Sequence, residues 1–226
     1  MKEERIIIHL PVSNQSIGAL LVVPANMMAM MVLGHGAGAG MEHRFMSQLA
    51  ENLADQNIGT LRYNFPYIEQ GRRSPGSPAI SEATVRATVE KVQSIAPHEV
   101  LLVGGKSYGG RMSSQAQSKE PLPGVSGLVF FGFPLHAPGK PGDGRGTHLK
   151  DIEVPMLFLQ GSRDKLADLD LLKPLLESLD HHSTLQVIEG ADHGFNMLKS
   201  ADKTTAEVQL ELAELTARWL AKISDL

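Results

Sequence analysis

Short apolar runs alternate with stretches of helical periodicity along nearly the whole chain. Residues 5–10 and 18–23 predict an antiparallel strand pair joined through the polar turn Ser13-Asn14-Gln15-Ser16. The run at 28–33 is apolar throughout and ends in Gly34-His35-Gly36-Ala37-Gly38-Ala39-Gly40, the pattern of a strand buried on both faces of a parallel sheet. Phe45, Leu49 and Leu53 follow at helical spacing, with Asn57-Ile58-Gly59 as the stop. Next come a strand at 60–65, a helix marked by Val85, Val89 and Val92, and an all-apolar strand at 100–103. The cycle repeats as helix 108–119, strands 127–131 and 155–160, helix 168–179 and strand 184–188. A last helix carries Val208, Leu212, Leu215 and Trp219 on one stripe.

Strands separated by helices predict an α/β fold, a mainly parallel sheet covered by helices on both faces. No linker interrupts the pattern, so residues 1–226 are expected to form a single domain. Two connections, 66–79 and 133–154, are long and rich in Gly and Pro. Both leave the carboxyl ends of strands, where open α/β sheets place their ligand crevice.

Composition narrows the chemistry. Of 226 residues 42% are hydrophobic and 20% charged, enough apolar content for a packed core. The chain has no Cys, which excludes disulfides, thiolate metal sites and a cysteine nucleophile, and fits a reducing, cytoplasmic setting. Its 25 acidic and 21 basic residues give a net charge of -4, with no electrostatic footprint for nucleic acid. Residues 6–41 contain no Lys, Arg, Asp or Glu, but Pro24-Ala25-Asn26 divides their most apolar part into strand-length halves. That reads as buried strands rather than a membrane span, and the mixed charges of Met1-Lys2-Glu3-Glu4-Arg5 do not begin a secretory signal.

The strongest local signal is Gly105-Lys106-Ser107-Tyr108-Gly109, after the strand at 100–103 and before a helix. This is G-x-S-x-G in strand–turn–helix context. A serine on so sharp a turn sits in strained backbone, and side chains two positions either side would collide with neighbouring elements. The gain is an exposed hydroxyl at a helix N-terminus, where free N–H groups favour a developing anion. Gly105-Lys106-Ser107 also matches the end of a phosphate-binding loop. The first glycine of that motif would have to be Val100, inside a strand, so the nucleotide reading fails.

The partners follow in chain order. Asp164 emerges just past the strand at 155–160, and His193 lies in the loop after the strand at 184–188. Ser107 is the candidate nucleophile, His193 the general base, and Asp164 the group that orients the imidazole. Asp168 is the rival acid, and the competing reading of Asp164 is a cap of the following helix, a role open to any Asp in a loop. His181-His182 precedes its strand, at the wrong end of the sheet for the base. An oxyanion hole needs the amide after the nucleophile, Tyr108, and one from the loop after the third strand, for which Ala37 is chosen.

These residues resemble the α/β-hydrolase superfamily over essentially the full length. Gly104-Gly105-Lys106-Ser107-Tyr108-Gly109-Gly110-Arg111-Met112, with Asn64-Phe65-Pro66-Tyr67, Glu69 and Gly71-Arg72-Arg73, is more specific. It resembles a small subfamily that includes testis-expressed relatives and, in longer form, a subunit of a chromatin acetylation complex. Dienelactone-hydrolase-like enzymes are more distant and use a Cys nucleophile. The resemblance implies an eight-stranded, mostly parallel sheet with Ser107, Asp164 and His193 converging at one edge, and no cofactor or metal. Only the connection 133–154 is available for a cap, so a minimal cap and a shallow, accessible site are expected.

Asn64, Tyr67, Arg72 and His136, on the two long loops, are the candidate substrate-binding residues, part of a basic rim that would suit an anionic substrate. Ordinary solvated loops are the competing reading. Lys106 adjoins the nucleophile and has Glu69 as a candidate ion-pair partner. The leading function is a serine hydrolase of the carboxylesterase type, acting on a small ester or thioester through an acyl-enzyme. The same trio serves amides, and a non-catalytic scaffold on this fold is a third reading.

Overall fold

A computed structural model describes residues 2–97, 99–179 and 182–224; His181 lies outside them. Eight strands form one sheet: β1 (Lys2–Leu10), β2 (Gln15–Val23), β3 (Ala29–Gly34), β4 (Ile58–Tyr63), β5 (Val100–Lys106), β6 (Val125–Phe131), β7 (Met156–Gly161) and β8 (Ser183–Ile188). Their spatial order is β1-β2-β4-β3-β5-β6-β7-β8. β2 runs antiparallel to β1 and β4, and every other neighbouring pair is parallel. The helices are α1 (Arg44–Asp55), a short turn α2 (Pro66–Glu69), α3 (Pro78–Ile95), α4 (Tyr108–Lys119), α5 (Leu169–Glu177) and α6 (Thr205–Ser224), with a 3-10 helix at Thr147–Asp151.

The pleat sends alternate side chains into two cores. Met30, Val32, Val103, Leu128, Phe130 and Phe158 pack on one face under Val85, Val89, Met112, Ala116 and Leu172 of α3, α4 and α5. Met31, Leu33, Leu102, Val129, Phe131 and Leu159 fill the other face under Phe45, Leu49, Leu53, Val208, Leu212 and Trp219 of α1 and α6. Burial of each such Leu, Val or Phe is worth roughly 1.5–3 kcal/mol, which is why these strands are apolar without alternation. No helix among the described residues is long and apolar enough to cross a membrane.

Several boundaries differ from expectation for identifiable reasons. β1 begins at Lys2 because its charged start is paired: Glu3 binds the guanidinium of Arg62, buried in β4. Gly59 is not part of a stop but lies inside β4; Asn57, at φ 61, makes the turn alone. A Cβ at Gly59 would crowd the Met27 and Met30 sulfurs and the Val22 carbonyl. Asp168 precedes α5 as its cap, accepting from the Asp170 amide at 2.9 Å. The connection 133–154 does not hang free: Phe133, Leu135, Leu149 and Ile152 are buried in the first core.

The parallel register aligns the carboxyl ends of the strands. Gly34 lies opposite Gly105, Lys106 opposite Phe131, and Gly161 opposite Ile188. The residues that leave these ends, 35–38, 107, 162–164 and 189–193, therefore meet along one rim of the sheet.

Candidate active site

Ser107 links β5 directly to α4, with φ 50 and ψ -111. Such positive-φ backbone on a side-chain-bearing residue costs of order 1–3 kcal/mol and persists only where surroundings enforce it. The enforcement is backbone contact. A Cβ at Gly105 or Gly109 would overlap the Gly34 main chain of β3, and one at Gly104 would overlap the Val129 carbonyl of β6. Glycine at these positions lets β5 and α4 close on their neighbours, so the serine is thrust out at the helix N-terminus.

The Ser107 hydroxyl lies 2.8 Å from His193 Nε2, and His193 Nδ1 lies 2.7 Å from Asp164 Oδ2. Asp164 is buried and its acceptors are filled: Oδ2 also takes the Gln160 amide at 2.5 Å, and Oδ1 takes the Leu166 N–H at 2.7 Å. A carboxylate so fixed compels Nδ1 to carry its proton toward Asp164, leaving Nε2 as the acceptor for the serine. The rival Asp168 is spent on its helix. The histidine loop is built by Asp192, whose Oδ1 accepts from the Gly194 and Asn196 amides, each at 2.8 Å. Phe195, at φ 60, then turns inward and stacks on Phe45 at 5.9 Å. Sequence reasoning passed over Asp192, although an Asp two residues before a Gly is the signature of such a turn.

Across the serine, the segment after β3 supplies the other half. His35 is fully buried; its Nδ1 donates to the Gly36 carbonyl at 2.8 Å and its Nε2 accepts from the Phe65 amide at 3.1 Å. Burial lowers its pKa to about 4, so the ring is neutral and can make both bonds. The Gly36 carbonyl also takes the Ala39 amide at 3.2 Å, closing a tight turn around Ala37. The Tyr108 amide, first in α4, has no acceptor within its helix. Ala37 thus lies on the cavity wall beside Ser107, and Tyr108 follows the serine as the first residue of α4.

Lys106 is buried but does not pair with Glu69, which holds the Gly18 amide and Asn64 instead. Its ammonium donates to the His193 carbonyl at 2.5 Å and lies 5.9 Å and 5.4 Å from the Phe45 and Phe195 ring centres. Desolvation lowers its pKa to about 8, against the pull of Asp164 and Asp192, so it is charged at neutral pH. Among the described residues no group of three His, Asp or Glu side chains is gathered as for a metal ion.

A cavity of about 650 Å³ opens beside Ser107 and His193. Its walls are the 36–39 turn, the first turns of α1 and α6, Lys106 and Leu166. The site is therefore deeper than the shallow, accessible one expected from a minimal cap. None of the four candidate substrate-binding residues lines it. Asn64 accepts from the Met41 amide and donates to Glu69. His136 ties the Ala137 carbonyl to the Asp168 amide. Tyr67 and Arg72 line a separate cavity of about 260 Å³, with Gln70, Ser77 and Ser81. Side-chain hydrogen bonds hold Asn64, His136 and Arg72 at these positions, while the Tyr67 ring packs against His35, Phe65 and Tyr108.

Known proteins share this architecture. Three solved structures superpose over nearly the whole chain. An alpha-beta serine hydrolase homologue from Coxiella burnetii matches at 20% identity and TM-score 0.76, covering 97% of this chain and 98% of its own. A serine hydrolase without lid from Xanthomonas campestris matches at 19% and 0.74, covering 97% and 95%. A dienelactone hydrolase from Anabaena variabilis matches at 18% and 0.74, covering 98% and 99%. At these identities the likeness is one of fold. The family described as alpha/beta hydrolase domain matches residues 27–221, which takes in Ser107, Asp164 and His193. With the sheet order, the glycine-packed turn after β5 and this match in hand, the chain belongs to the alpha/beta hydrolase domain family.

Proposed function

We propose that the protein is a serine hydrolase that cleaves a small ester or thioester through Ser107, His193 and Asp164. The observation that carries this reading is the continuous hydrogen-bonded line from Ser107 Oγ through the imidazole to a buried, fully satisfied carboxylate. His193 Nε2 takes the hydroxyl proton as Oγ attacks the carbonyl carbon, and the Ala37 and Tyr108 amides hold the oxyanion. The imidazolium then protonates the leaving oxygen or sulfur, and the acyl group remains on Ser107. Water, deprotonated by the same nitrogen, adds to the acyl-enzyme and releases the acid. Asp164 fixes the tautomer and stabilises the imidazolium throughout.

A scaffold role rests only on the resemblance of the motif to a subfamily with a chromatin-complex subunit, whereas the family match is to alpha/beta hydrolase domains in general. The strained Ser107 and the pocket beside it speak for chemistry, because a scaffold has no use for either. Amide cleavage would use the same line of groups. A cytoplasmic location belongs to the same proposal, resting on the absence of Cys. The deciding experiment is labelling with a fluorophosphonate probe. Wild-type protein is expected to be labelled and Ser107→Ala not; unlabelled, correctly folded wild type would leave the scaffold reading standing.

A further inference from the structure

Two cations line the cavity beside Ser107, and each sits where stability of the fold disfavours it. Arg44 opens α1, whose first turn contains no acidic residue. A positive side chain at a helix N-terminus opposes the macrodipole, a location that ordinarily favours Asp or Glu. Its guanidinium makes no hydrogen bond or ion pair among the described residues. Lys106 is buried with no carboxylate in ion-pair distance among the described residues, and a buried cation so placed carries a desolvation cost.

No Asp or Glu lines this cavity among the described residues. Acids on the adjoining segments are already committed, Glu42 to Arg5 among them. Asp164 holds His193, Gln160 and Leu166, and Asp192 holds Gly194 and Asn196. Glu207, in the first turn of α6, is turned back onto the Thr204 amide and hydroxyl. The wall also carries Ala37, Phe45, Met46 and Leu166 as apolar surface, beside polar groups such as Gln48 and Asn196. Such a surface accepts a short carbon chain and offers its end a cation.

From this arrangement, and resting on the hydrolase reading above, we infer that the substrate portion filling the cavity bears a carboxylate that pairs with Arg44. The basic residues of the long loops are not needed for this preference; the cation comes from the start of α1. Lys106 is not the pairing partner, because its buried ammonium already donates to the His193 carbonyl.

The test compares kcat/KM for a hemiglutarate aryl ester and the matched pentanoate ester. A second pair carries the carboxylate on the alcohol side. One anionic ester is expected to be preferred by about tenfold, the scale of one charge-assisted contact. Arg44→Gln should cut that ratio through KM, and Lys173→Gln on the outer surface of α5 should not. Glutarate binding followed by calorimetry supplies a readout independent of turnover, expected to be saturable in wild type and weakened in Arg44→Gln. Preference for the neutral esters in both pairs, or a ratio unmoved by Arg44→Gln, overturns the inference. If the fluorophosphonate still labels Ser107, the hydrolase reading survives that result. If neither probe nor esters react, the hydrolase reading falls, and glutarate binding alone decides whether an anion site exists.

Discussion

Two cavities of the protein differ in what stands on their walls. The larger carries Ser107 and His193, framed by the β3 exit, Lys106, Leu166, the 193–196 turn and the first turns of α1 and α6. The smaller is framed by Ser13, the start of β2, α2, the connection that follows it and the first turn of α3, with neither Ser107 nor His193 on its wall. Chemistry needs reacting groups held in place, and of the two cavities the larger alone has them. The comparison predicts that function tracks the first cavity and is indifferent to the second.

The largest effect is expected at the carboxylate that serves the first cavity. Asp164→Asn keeps an acceptor for the Leu166 amide but offers Nδ2–H to His193, which favours the wrong tautomer. A loss in kcat of about 10⁴-fold is expected, by analogy with the same change in serine proteases. Steady-state rates on an activated ester check this, with near-ultraviolet circular dichroism to verify folding. A loss below tenfold would mean that Asp164 only caps its loop.

His35 braces the turn beside Ser107, bonding the Gly36 carbonyl through one ring nitrogen and the Phe65 amide through the other. Its pKa falls from 6.5 to about 4 on burial, so between those values the unfolded chain binds the proton and the native ring does not. Stability is therefore unaffected above pH 6.5 and declines as pH drops through the window, by about 3 kcal/mol in full. Urea unfolding at a series of pH values should show this slope, and His35→Gln should flatten part of it while lowering stability at neutral pH. An unchanged slope in the variant would assign the acid sensitivity to other groups.

How much of this was legible in the chain depends on whether the cause is local. The strands at the centre of the sheet were readable because burial on both faces leaves runs such as Met30-Met31-Val32-Leu33 with no polar residue. The turn at Ser107 was readable because the glycines that permit it lie within two residues of it. Asp164 and His193 could be placed near Ser107 because strand ends converge on one rim whatever the loops between them do. The cavity wall was not legible: Arg44 and Ala206 are 162 positions apart (206 − 44), and neither has a local signature. The loops misled for a complementary reason. Asn64 and His136 have the chemistry of binding residues, but which partner they bond is set by tertiary contact. Gly59 looked like a stop since glycine breaks strands, and only the neighbouring Met sulfurs explain it.

A matched pair of bulky substitutions sharpens the contrast. Ala206 is exposed at the start of α6 and lines the larger cavity; Ile80 lines the smaller. Ala206→Trp can be accommodated by the helix while it fills space beside the serine. It should lower kcat/KM for long acyl esters by about tenfold, the scale of a steric mismatch in an apolar pocket, and affect acetyl esters less. Ile80→Trp should leave both unchanged. Equal losses from the two would show that the smaller cavity also admits substrate.

The smallest expected effect is at Arg72, the cation that sequence reasoning placed in the site. Its guanidinium bonds Gln70 on the same exposed loop and lines only the smaller cavity. A charge held in solvent is screened within about one Debye length and adds little to binding elsewhere. Arg72→Ala should therefore alter kcat/KM by less than about twofold for neutral and anionic esters alike, and stability by about 0.5 kcal/mol or less. The comparison with Arg44→Gln is what gives this near-silence its force: both remove one exposed arginine, and only the one on the wall of the Ser107 cavity should be felt. A selective loss of the anionic substrate in Arg72→Ala would mean that the 66–79 connection swings over the serine when substrate is bound, and the division between the two cavities would then hold for the free protein alone.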